Sequence, residues 1–71
     1  MTEERRSRGA RRLELERTRS ELEAIRFALG ESWQAFDLCA DPALTEAHIY
    51  EINALRSRYD AVFRHLKSIA L

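Results

Sequence analysis

With only one cysteine, Cys39, the chain cannot close an internal disulfide. A single proline and two glycines leave few places where a helix must break. No apolar run approaches the ~20 residues that a membrane span needs. The charged start lacks the apolar core of a secretory signal, and a lone cysteine without such a signal fits a reducing, cytoplasmic setting. Neither charge sign dominates, since twelve basic residues balance twelve acidic ones. A chain of 71 residues is also too short to bury much. Small domains bury only about 60% of their unfolded surface and rely on disulfides, metals, oligomerisation or very regular helix packing. Without a disulfide, helix packing and oligomerisation remain.

Leu, Ala, Glu and Arg, all strong helix formers, dominate the sequence. Residues 1–10 show no apolar period and read as a frayed, flexible arginine-rich arm. From about Arg11 to Asp37, Leu15, Thr18, Leu22, Ile25, Leu29, Ser32 and Phe36 recur at alternating spacings of three and four, which predicts a first helix with a heptad seam. Leu38-Cys39-Ala40-Asp41 predicts a loop, with Asp41 as N-cap and Pro42 at the first helical position, where its missing N–H costs nothing. A second helix is expected from Pro42 to about Ile69, with the seam Thr45, His48, Ile52, Leu55, Tyr59, Val62, Leu66 and Ile69.

Folding back at Asp41-Pro42 sets Leu29 against Ile52, Leu22 against Tyr59 and Leu15 against Leu66. The expected fold is therefore all-α, an antiparallel two-helix hairpin spanning residues 11–71. One continuous helix is the rival, and Pro42 argues against it.

A two-helix hairpin leaves one side of each seam open. Ala28, Trp33, Ala35, Ile49 and Phe63 widen the apolar stripe beyond what a two-stranded contact uses. Residues 1–20 carry seven arginines against four glutamates, residues 21–51 seven acids against Arg26 alone, and residues 52–71 four bases against Asp60. Once folded, the hairpin carries a basic end at the termini and an acidic end toward the loop. The expectation is an antiparallel homodimer, a four-helix bundle, with an unidentified protein partner as the other use of the stripe. The expected interface is Leu22, Ile25, Leu29, Trp33, Phe36, Ile49, Ile52, Leu55, Tyr59, Val62, Phe63 and Leu66. The spaced Ala47, Ala54, Ala61 and Ser68 either let another helix approach or simply favour helix.

Chemistry is poorly provided for. His48 and His65 fall at opposite ends of the second helix and cannot share a metal ion. Cys39 has no adjacent base to activate it. Neither a glycine-rich phosphate loop nor a di-iron Glu-x-x-His pair occurs. The expectation is no enzyme, cofactor or metal. Glu14, Glu16, Glu21 and Glu23 interleave with Arg12, Arg17, Arg19 and Arg26, as on a solvated face with pairs along the helix. Glu51 and Asn53 likewise read as surface. Arg5, Arg6, Arg8, Arg11 and Arg12 could neutralise phosphates, so a nucleic-acid accessory role is the alternative. Glu3 and Glu4 dilute that charge.

Asp41-Pro42, Ile49-Tyr50-Glu51-Ile52-Asn53-Ala54, Arg58-Tyr59 and Leu66-Lys67 together resemble the YaaL-like family, short bacterial proteins of unknown function. The resemblance covers roughly residues 33–67. It implies a helical fold in a bacterial cytoplasm and brings no activity or site residues with it. Phe27 and Tyr50, on the sides away from the seams, are candidate anchors or single surface aromatics.

Overall fold

A computed structural model describes the backbone of residues 2–70 and the side chains of residues 7–70. Two helices, α1 (Thr2–Leu38) and α2 (Pro42–Ala70), pack against each other, with no strand among the described residues. The resulting rod measures 61 × 15 × 13 Å.

The turn forms as its residue types dictate. Asp41 Oδ1 accepts the Ala43 N–H at 3.0 Å, capping α2. The Asp41 carbonyl accepts the first helical bond from Thr45 N at 2.9 Å, and the Thr45 hydroxyl bonds to the same oxygen at 3.0 Å. Cys39 N closes α1 with a bond of 3.2 Å to the Phe36 carbonyl three residues back.

Helix α1 begins at Thr2, nine residues before the start expected from apolar periodicity, and it runs one residue past Asp37. Periodicity marks only the part of a helix that packs. Beyond it, glutamates and arginines extend an existing helix at no nucleation cost. The segment 2–10 is therefore a helical overhang beyond the end of α2, and not the separate arm that the sequence alone suggests. At its base, the Arg11 guanidinium donates twice to the Ile69 carbonyl, at 3.0 and 2.7 Å, binding an orphan carbonyl at the end of α2.

Both expected seams face inward. Thr18, Ile25, Ser32, Ile52 and Ile69 are buried, and the other seam residues are half-buried. Ties across the hairpin, Glu14 to His65, Glu21 to Arg58 and Ser32 to Glu51, each lie within two residues of the register expected from the sequence. Among the described residues, Ile25, Ile52 and Ile69 are the only buried apolar side chains, at 3%, 4% and 8% exposure. The hairpin is zipped along one line, and these three isoleucines are its core.

Candidate interaction surface

The two sides of that line differ. On α1, the row Thr18, Ile25, Ser32 is buried throughout, and the adjacent row Leu15, Leu22, Leu29, Phe36 is only half-buried. The helices thus meet off-centre in the seam. One flank closes over the contact and the other stays open.

The closed flank carries the polar ties across the hairpin, in the same rows as Ala28, Ala35 and the exposed Leu44. Glu14 reaches His65 Nε2 at 3.0 Å and Glu21 reaches Arg58 at 3.8 Å. The sequence leads one to expect these two glutamates to pair along their own helix, but they pair across the hairpin, because their row faces the matching row of α2. Only Arg26–Glu23, at 4.0 Å, joins two of those eight residues along α1. Further toward the loop, the buried Ser32 hydroxyl donates to Glu51 Oε1 at 3.0 Å, and Glu51 Oε2 lies 3.9 Å from His48 Nδ1. Glu51 is thus more than the plain surface residue its sequence context implies. The signal that could have found it is a serine within the seam opposite an acid on its flank. Ala28, Glu31, Ser32, Ala35, His48 and Glu51 line an open cleft of about 260 Å³ here. The Ser32 hydroxyl donates to a carboxylate and not to the imidazole, so this trio lacks the nucleophile–base contact of a hydrolase. No three His, Cys, Asp or Glu among the described residues are arranged to hold a metal ion.

The open flank carries aromatics in the same rows as the exposed Arg19, Arg26 and Arg56. Trp33 and Phe36 pack edge to face with centroids 5.8 Å apart, and Tyr59 and Phe63 stack at 6.1 Å. Lys67 Nζ sits 5.2 Å from the Phe63 centroid. Trp33, Ile49 and Phe63 remain 47%, 44% and 39% exposed. Among the expected interface residues, then, Ile25 and Ile52 are sealed within the hairpin. Leu22, Leu29, Phe36, Leu55, Tyr59, Val62 and Leu66 are half-buried, and Trp33, Ile49 and Phe63 are exposed. Phe27 and Tyr50 lie on the outer faces, at 70% and 67% exposure. Of the arginines at the start of the chain, Arg8 and Arg12 are exposed, Arg11 is tied to Ile69, and the side chains of Arg5 and Arg6 lie outside the described residues.

No family model, curated protein or solved structure matches the chain. Among the described residues, no helix is long and apolar enough to cross a membrane.

Proposed function

We propose that this chain is a self-associating helical-hairpin module, a homodimer closing into a four-helix bundle, which works by protein–protein contact and not by catalysis. A bacterial cytoplasmic setting and kinship with the YaaL-like proteins belong to the same proposal. One observation carries it. The hairpin exposes 5971 Å² at a mass of 8.3 kDa. A compact chain of that mass exposes about 4,600 Å². The elongated shape, 61 × 15 × 13 Å, and the overhang of α1 both contribute to the excess of roughly 1,400 Å², and the open flank contributes Trp33, Ile49 and Phe63 at 47%, 44% and 39% exposure. A standard interface covers about 800 Å² on each partner. Solution mass by light scattering, at low and high salt, tests the reading. A dimer in both supports it, because an apolar contact survives screening. A folded monomer overturns it.

The alternative, a nucleic-acid accessory protein, draws on the exposed Arg8 and Arg12, while Arg11 is already held by Ile69. A salt-dependent shift of labelled DNA or RNA, abolished by deleting residues 1–12, would favour it.

A further inference from the structure

We infer that the second copy docks on the flank bearing Trp33, Ile49 and Phe63, in antiparallel orientation about a two-fold axis near mid-hairpin, and that the flank tied by Glu14–His65 and Glu21–Arg58 stays in solvent. This rests on the self-association reading and adds to it the face, the direction and the residues that meet.

Three observations choose the face. The half-buried row Leu15, Leu22, Leu29, Phe36 opens toward it, so a copy laid there continues the apolar contact that the hairpin leaves unfinished. The exposed Trp33, Ile49 and Phe63 lie on it. The opposite flank carries three polar ties across the hairpin, and covering them would cost desolvation, whereas the proposed face holds the one pair Arg26–Glu23 among the described ion pairs.

Charge chooses the direction. Residues 27–55 contain Glu31, Asp37, Asp41, Glu46 and Glu51 and no Arg or Lys, so the loop half of the rod is acidic. The half at the termini carries Arg8, Arg11, Arg12, Arg17, Arg19, Arg64 and Lys67 against four acids among residues 7–22 and 60–70. Copies with loops at the same end would superpose like poles. Copies with loops at opposite ends set each acidic half on a basic one.

The heptad rows then interlock about one axis. On α1, Leu22 falls opposite Leu29 of the second copy, and Leu15 opposite Phe36. On α2, Ile52 falls opposite Tyr59, and the same axis serves both helices because the hairpin register sets Leu29 level with Ile52. In the outer rows, Ile49 falls opposite Phe63, and Trp33 opposite Arg19, whose guanidinium is suited to the indole face. Arg26 and Arg56 come nearest their own copies. Each has an acid about one turn away, Glu23 at 4.0 Å from Arg26 and Asp60 four residues after Arg56, so neither cluster carries net charge.

The chain supplies its own reporters, a single tryptophan and a single cysteine. As light scattering registers dimer formation on raising the concentration, Trp33 emission should move to shorter wavelength as its ring leaves water. Phe63→Glu should abolish the dimer, and Phe27→Glu, on an outer face, should leave it intact, with both variants checked as helical by circular dichroism. A short bis-maleimide should leave the native chain uncrosslinked, because antiparallel packing holds the two Cys39 thiols roughly 40 Å apart. The same reagent should couple the Ala70→Cys variant through Cys39 of one copy and the introduced thiol of the other, a pair separated by the length of α2 within one chain. A chain that is monomeric at every concentration overturns both readings. A dimer with unshifted Trp33 emission, or one that survives Phe63→Glu, overturns the face alone, and Cys39–Cys39 cross-linking of the native chain overturns the direction.

Discussion

The two flanks of this hairpin are built from the same seven-residue repeat and end up chemically opposed. On one, Glu14, Glu21 and Glu51 reach across to His65, Arg58 and Ser32. On the other, Trp33, Ile49 and Phe63 stay two-fifths to one-half exposed. Both flanks border the same buried line of Ile25 and Ile52. The same repeat thus leaves one flank with polar groups paired across the hairpin and the other with apolar groups half exposed.

The contrast between zipped line and flanks can be broken by mutation. Ile52→Ala should cause the largest loss, about 2–5 kcal/mol, read as a fall in the urea midpoint, because it empties a site that is 4% exposed. A loss no larger than that of a flank substitution would mean that the line is not the core. Asp41→Ala removes the acceptor of the Ala43 N–H and should cost about 1 kcal/mol in the thermal melt, with little change in which flank is open. Gly30→Ala should act in the opposite sense, raising stability by about 0.5–1 kcal/mol, because a Cβ there meets nothing within 4 Å. The smallest effect belongs to the closed flank. Glu21→Gln should shift the melt by under about 1 kcal/mol, since Glu21 and Arg58 are half exposed or more and 3.8 Å apart. A double-mutant cycle with Arg58→Ala isolates the pair energy, and a coupling well above that size would make the closed flank a stability element in its own right.

Much of the fold was legible because the signals were local or periodic. Asp41-Pro42 marks a helix start through one side chain and one ring, and the cap forms between those residues and the next turn. All fifteen seam positions are buried or half-buried, because a spacing of three and four confines them to one face of each helix. The helical start at Thr2 was not legible, for the complementary reason. Residues 2–10 lie beyond the end of α2 and carry no apolar period, although their helix propensity is high. The partners of Glu14 and Glu21 are not legible in the same way, since each also has Arg17 three or four residues away on its own helix. Only the docked second helix decides between that neighbour and a residue across the hairpin.

The amino-acid sequence by itself determined two helices, their turn, their register and the line along which they meet, since propensity, capping and period act within a few residues or along one face. The tertiary structure decided where around that line the helices sit. The contact lies toward Thr18, Ile25 and Ser32 and away from Leu15, Leu22 and Leu29, and this offset separates a flank closed by polar contacts from a flank left open with its aromatics. A heptad pattern is nearly symmetric about its seam. The side that closes depends on the packing of both helices at once, which neither helix encodes alone.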